Sequence, residues 1–186
     1  GGPIFDVEKL NWLNGLWIRE DLSQQQLARR LHDWALNEDF LKQILPHAQQ
    51  RMETLSDFVP LAGFFASGIL PIEEATFAGG KLQGDELLEA LQFALWKLES
   101  LQEWDRDGIF SAMKGLADAM DIKVKDFFAP LFIAIAGTTA SISVIDSMQI
   151  LGADMSRARV RHAIDVLGGV GKKKLKKLEK AYAQLA

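Results

Sequence analysis

Apolar residues recur at helical spacing along most of this 186-residue chain. Near the N-terminus, one stripe at helical spacing comprises Phe5, Leu10, Leu13, Leu16 and Trp17. Residues three or four apart lie on one face of a helix, so this stripe predicts an amphipathic helix. Asp6 precedes most of the stripe and is a suitable N-cap.

The same periodicity, interrupted by glycine and proline, continues to the C-terminus. It predicts helices over residues 24–45, 47–58, 85–101, 105–120, 123–136, 142–151, 157–167 and 171–185, and a short helix from Pro71. We assign Ser23, Ser141 and Ser156 as N-caps. No segment alternates as a strand would, so the predicted fold is all-α. We expect two packed helical subdomains, residues 1–78 and 79–186.

Composition excludes several classes of protein. The sequence has no cysteine, so it cannot form disulfides or a thiolate zinc site. It has no apolar run of about eighteen residues and no visible signal peptide, so we predict a cytoplasmic protein. The sequence begins without methionine, from which we expect a fragment or a processed product.

Charge is distributed unevenly along the chain. The formal net charge is −4, yet residues 157–186 contain nine lysines and arginines against two acidic residues. Lys172, Lys173, Lys176 and Lys177 cluster within two helical turns, where they could neutralise phosphates. A solvated helix face is the other interpretation.

We find no pattern of catalytic residues. The three histidines lie in separate predicted helices without metal-ligand spacing. The sequence has neither a GxxxxGK[ST] phosphate loop nor a GxSxG nucleophile turn. We therefore predict no catalytic residue, no metal site and no cofactor in this chain.

Two stretches resemble bacterial glutamyl-tRNA synthetases. The first matches the family segment FDxxKLxWxNxxYIR through Phe5-Asp6, Lys9-Leu10, Trp12, Asn14 and Ile18-Arg19. The second resembles the segment around PLRxAxTG through Ala129-Pro130-Leu131, Ile133-Ala134, Ala136-Gly137, Ile145-Asp146 and Ile150-Leu151-Gly152. Phe132 stands where the family usually has arginine, and Ala136 where it has threonine.

The resemblance implies a fold and a function. It implies the helical cage that binds the anticodon in these class I synthetases. Residues 1–78 would then hold the end of a stem-contact segment and the first helical subdomain. The function would be anticodon recognition of tRNA(Glu) by the C-terminal part of a glutamate–tRNA ligase. The catalytic motifs are absent, so ATP and Mg²⁺ would bind elsewhere in the parent enzyme and this chain alone would be inactive. We expect a monomer that binds neither DNA nor a membrane.

The resemblance also implies roles for individual residues. Arg51, in the string Arg51-Met52-Glu53-Thr54-Leu55, resembles the arginine of the family's R-F-x-T-L, which inspects the third anticodon base. Ser141 and Val144 match positions that approach the other anticodon bases, and Phe132 could stack on a base. Lys9, Arg19 and the four clustered lysines would contact the tRNA backbone.

Two other functions fit the same residues. The chain could be a stand-alone helical module that binds RNA or an acidic protein. It could also bind a membrane surface through residues 172–180, although that helix lacks Trp or Phe on its apolar face. Salt-dependent binding that prefers tRNA over random RNA would separate these functions.

Overall fold

In this computed structural model, residues 6–139 and 141–185 are described, and they form helices and turns with no strand among them. This confirms the all-α prediction. The α-helices are α1 Val7–Leu16, α2 Gln24–Leu31, α3 Glu38–Ala48, α4 Phe58–Ala62, α5 Gly84–Ser100, α6 Arg106–Ala119, α7 Val124–Ala136, α8 Val144–Leu151, α9 Ala153–Val166 and α10 Lys172–Tyr182. Two compact units comprise residues 1–43 and 44–186. The subdomain division at residues 78 and 79 stays a prediction.

The first unit consists of short helices with locally capped ends. The Asp6 side chain accepts from the Lys9 amide at 3.0 Å and caps α1, as predicted. Ser23 and Gln26 form a capping box at the start of α2, with bonds of 3.2 and 2.9 Å. α1 and α2 each continue into a π-helical turn, Trp17–Asp21 and His32–Leu36 respectively. Phe5, the first residue of the predicted stripe, lies outside the described residues.

The predicted helix over residues 24–45 is wrong as a single element. Asn37 interrupts it with extended backbone, at φ −71° and ψ 152°. Its side chain accepts from the Phe40 amide and donates to the Asp33 carbonyl, both at 2.8 Å. These two bonds end one helix and cap the next, because a short amide side chain competes with the helical ladder. Pro46 lies inside α3 and does not end it.

The predicted helix over residues 47–58 is also wrong. α3 ends in a 3₁₀ turn, Gln49–Arg51, and a second 3₁₀ turn covers Leu55–Asp57 before α4. The Asp57 carboxylate accepts from the amides of Glu53 and Thr54, both at 2.8 Å. In a continuous helix, these two amides would donate to carbonyls of the preceding turn. Here they donate to the Asp57 side chain instead, and the chain forms a turn.

The second unit has an extensive apolar core. α5 packs against α6, α7 and α9, and α7 also packs against α8 and α9. Large, fully buried side chains include Leu91, Phe93, Leu98, Ile109, Met113, Phe127, Leu131, Ile135 and Met148. α7 continues through Pro130 and ends at Gly137, whose φ of 73° favours glycine. α10 packs on α5 through Tyr182, whose ring lies 5.2 Å from that of Phe93.

Two predicted serine caps are wrong. Ser143, not Ser141, precedes α8, and the hydroxyl of Ser141 donates to a distant carbonyl. α9 begins at Ala153, directly after Gly152, so Ser156 lies within the helix. Its buried hydroxyl donates to the Met148 carbonyl at 3.2 Å. In both cases a partner on another element determines the bond that the side chain makes.

None of the helices among the described residues has the length and apolar character needed to cross a membrane.

Candidate nucleic-acid interface

Arg51 and Ser141, two predicted site residues ninety positions apart, lie in direct contact. Arg51 occupies the 3₁₀ turn that follows α3, and its Nη1 donates to the carbonyl oxygen of Ser141. The Ser141 hydroxyl donates in turn to the Leu61 carbonyl at 2.8 Å. Ser141 is 3% exposed, whereas Arg51 is exposed. The exposed guanidinium of Arg51 therefore bonds to the backbone at Ser141, which is buried and held by its own bond to Leu61.

An exposed guanidinium in this position can recognise a planar hydrogen-bonding group. It has five N–H donors in a rigid fork and no acceptor. The carbonyl of Ser141 satisfies part of that fork and limits its movement. A second acceptor group, such as a base edge, can bind the remaining donors.

The remaining base-contact candidates, Val144 and Phe132, differ in exposure. Val144 is the first residue of α8, three residues after Ser141, and is 6% exposed. Little of its side chain is therefore accessible to a base. Phe132 lies in α7 and is half-buried. Base contact by either residue stays a prediction.

The side chains of His47, Arg106 and Asp146 form a cluster at the end of α3, just before the turn that carries Arg51. His47 lies one turn before Arg51, and its Nδ1 is 3.9 Å from Oδ2 of Asp146 in α8. Arg106 Nε donates to Oδ1 of the same carboxylate at 2.9 Å. This hydrogen bond, together with the charge of Asp146, raises the pKa of Arg106. The cluster joins residues about a hundred positions apart, so sequence reasoning missed it.

The turn after Arg51 is stabilised by Asp57. Its bonds with the amides of Thr54 and Glu53 lower the pKa of Asp57. A carboxylate that accepts two backbone N–H bonds is stabilised in its charged form. This local bonding keeps residues 53–57 compact beside the exposed arginine.

Arg159, one of the nine basic residues of the C-terminal region, is a buried cation. It is 0% exposed and donates to the backbone carbonyls of Phe64, Ser67, Gly68 and Ile135. Burial lowers its pKa to about 10. That value still lies above neutral pH, so the guanidinium is charged under physiological conditions. The sequence around Arg159 gives no sign that this arginine is buried and bonded to backbone carbonyls, and only the structure shows it.

The predicted backbone contacts lie on exposed surface. Lys172, Lys173, Lys176 and Lys177 are exposed on α10, and Lys9 and Arg19 are exposed in the first unit. Part of the C-terminal basic excess is paired, since Lys174 contacts Asp85 and Arg161 contacts Glu99, at 2.6 and 2.7 Å. Phosphate contacts by the six exposed residues stay predictions.

Residues 6–139 and 141–185 contain no group of three histidine or acidic side chains placed to hold a metal ion.

Comparison with known proteins identifies relatives. Residues 26–164 match the family described as the anticodon binding domain. A glutamate–tRNA ligase of Cellvibrio japonicus is 63% identical over the whole chain, and one of Saccharophagus degradans is 58% identical. The chain spans 37% of the length of each of these relatives.

A solved structure has a similar fold. It is a glutamate tRNA ligase from Elizabethkingia meningosepticum in complex with its amino acid, with a TM-score of 0.64 at 18% identity. The similarity covers 90% of this chain and 34% of that one. The family match covers about three quarters of the sequence. The chain therefore belongs to the anticodon binding domain family.

Proposed function

We propose that this chain recognises the anticodon of tRNA(Glu) as part of a glutamate–tRNA ligase. The observation that supports this most strongly is the contact between Arg51 and the Ser141 carbonyl. It places an exposed guanidinium on the segment that leads into α8. Membership of the anticodon binding domain family and the identity to glutamate–tRNA ligases support the same assignment.

Arg51 has the chemistry to read the third anticodon base. Anticodon bases are unstacked, so their Watson–Crick edges are open to side chains. Glutamate and glutamine tRNAs differ at the third base, cytosine against guanine. The cytosine edge presents two acceptors, which the guanidinium fork satisfies. The guanine edge presents N–H donors, for which arginine has no acceptor. We therefore infer that the parent enzyme discriminates against glutamine tRNA.

The remaining proposals concern the parent enzyme and its tRNA contacts. The parent attaches glutamate to tRNA(Glu) with ATP and Mg²⁺, which in this proposal bind outside the present chain. Lys172, Lys173, Lys176 and Lys177 contribute sequence-independent attraction to phosphates, and Lys9 and Arg19 contact the tRNA backbone. We further propose a monomeric, cytoplasmic protein.

The family match favours tRNA over the alternative of a stand-alone interaction module. A binding experiment decides between them. The isolated chain is titrated with tRNA(Glu) and with random RNA of equal length at several salt concentrations. We expect salt-dependent binding to both RNAs and tighter binding to tRNA(Glu). Equal affinity for the two RNAs would contradict the proposal.

Catalytic inactivity has its own test. An ATP–pyrophosphate exchange assay with glutamate and tRNA(Glu) should give no signal above background for the purified chain. Measurable exchange by the purified chain would contradict the assignment of ATP and Mg²⁺ to another part of the parent.

A further inference from the structure

Arg159 is bonded to two backbone segments of the second unit. From α9, its Nε donates to the Gly68 carbonyl at 3.0 Å, and its Nη2 donates to the Phe64 carbonyl at 2.7 Å and to the Ser67 carbonyl. Its Nη1 donates to the Ile135 carbonyl in the last turn of α7. One planar group thus fixes residues 64–68 relative to residue 135.

These bonds compensate the burial of a charge. Among the described residues, the acceptors bonded to Arg159 are backbone carbonyls and include no carboxylate. A buried charge is costly unless hydrogen bonds satisfy it. A lysine ammonium has three donors and no planar fork, so it cannot reproduce this bonding pattern. The position therefore requires arginine geometry in addition to a positive charge.

The same two segments meet again at the Arg51 contact. Three residues before Phe64, the Leu61 carbonyl accepts from the hydroxyl of Ser141 at 2.8 Å. Ser141 itself lies six residues after Ile135, and its carbonyl accepts from Arg51. Arg159 and Ser141 therefore bond the same pair of segments at two places, and the acceptor of Arg51 belongs to one of them.

We propose that Arg159 is a positioning residue for anticodon discrimination. Through its bonds to residues 64–68 and 135, it sets the place of the Ser141 carbonyl and so the orientation of the Arg51 guanidinium. Arg159 itself is buried and touches no RNA. This inference rests on the proposed reading of the third base by Arg51.

A purely structural role would have a different signature. Such a role would lower the stability of the fold and leave Arg51 fully effective in every folded molecule. A positioning role makes the effect of one arginine depend on the other. A double-mutant cycle measures that dependence directly.

The experiment combines Arg159→Lys with Arg51→Gln. Affinities are measured for tRNA(Glu) and for the same tRNA with its third anticodon base changed from C to G. Sucrose is included, because osmolytes favour the folded state, and circular dichroism verifies folding. In the wild-type background, Arg51→Gln should reduce the affinity ratio by about 5- to 150-fold, as expected for loss of one base-reading side chain. In the Arg159→Lys background we expect a reduction below about twofold.

Arg157→Lys is the matched control on the same helix. Arg157 also donates to a backbone carbonyl, that of Leu98, through Nε at 3.1 Å and Nη2 at 2.8 Å. It joins α9 to the end of α5, and among the described residues the acceptor of its hydrogen bonds is Leu98, which lies outside residues 61–68 and 135–139. Arg51→Gln should therefore keep its full effect in this background. If Arg51→Gln also loses its effect in the Arg157→Lys background, the proposal is overturned. Any substitution that weakens α9 would then abolish the effect, and the bonds of Arg159 would have no special part in it.

Ser141→Ala is a milder variant that breaks the neighbouring hydroxyl bond between the two segments. We expect it to weaken the effect of Arg51→Gln as Arg159→Lys does. If Arg51→Gln keeps its full effect with both Arg159→Lys and Ser141→Ala, the positioning role is overturned while the reading by Arg51 stands. If Arg51→Gln has no effect in the wild-type background, the reading by Arg51 is wrong and the positioning role is overturned with it.

Discussion

The two units of the molecule show how differently one hydrophobic pattern can be used. In the described residues 6–43, Ala35 alone is buried, and Trp12 and Trp34 are each 60% exposed. In residues 44–185, the large side chains of α5 and α7 form a continuous core. Both units show helical periodicity, which indicates which residues share a face. It does not indicate whether another element covers that face.

Two arginines illustrate the same difference. In the first unit, the guanidinium of Arg30 lies over the Trp17 ring at 4.6 Å, on exposed surface. In the second unit, Arg159 is fully buried and bonded to four carbonyls. Short helices without a packed face are marginal in water, so the first unit depends on its caps. The second unit depends on burial and on satisfied buried polar groups.

Replacing Arg159 should have the largest effect on the free energy of unfolding. Replacing it with methionine leaves several buried carbonyls without a donor, each at a cost of about 1–3 kcal/mol. We expect Arg159→Met to lower the free energy of unfolding by about 4–5 kcal/mol. Arg30→Met, in the exposed pair with Trp17, should change it by less than about 0.5 kcal/mol. Urea denaturation of both variants measures the difference, and equal losses would contradict the comparison.

A smaller effect is expected for leucine truncations. Leu98 in α5 is 0% exposed, and Leu10 in α1 is 49% exposed. Leu98→Ala should cost about 3 kcal/mol, because it removes buried methyl groups and leaves a cavity. Leu10→Ala should cost less than about 0.5 kcal/mol. Comparable changes in the urea midpoint would show that the first unit has a core of its own.

Lysine replacements should alter RNA binding without altering the fold. Changing Lys172, Lys173, Lys176 and Lys177 to glutamine should weaken binding of every tRNA alike. Each lost phosphate contact should lower the slope of log affinity against log salt by about 0.7–0.9. Lys9→Gln with Arg19→Gln should lower it about half as much. An unchanged slope in the first variant would show that α10 is a solvated face.

The smallest expected effect is the titration of Asp57. Its pKa is lowered in the folded chain, so its stabilising contribution is present above its ordinary value of 3.8 and is lost as the pH falls through the lower folded value. Asp57→Asn should therefore lose less stability than the wild type as the pH falls below about 4. Parallel acid-unfolding curves for the two proteins would contradict this assignment.

The sequence predicted local features well and long-range contacts poorly. The helix starts at Asp6 and Ser23 depend on side chains that accept from amides three residues further on, so the local sequence is enough to predict them. The interruption at Asn37 is equally local, but it was hidden by apolar periodicity that continues across it. The roles of Ser141 and Arg159 depend on carbonyls between 24 and 95 residues away, which no local pattern encodes. The resemblance selected Arg51 and Ser141 as site residues, and the structure added that they bond to each other.

The central claim, that Arg51 reads the third anticodon base, is tested most directly by changing that base and measuring the affinity of the chain for the tRNA. Affinity is measured for tRNA(Glu) and for the same tRNA with its third anticodon base changed from C to G, with wild type and Arg51→Gln. Reading by Arg51 predicts that wild type prefers the C form by about 1–3 kcal/mol and that Arg51→Gln loses this preference. A preference that is the same in both proteins, or absent from wild type, would contradict the account.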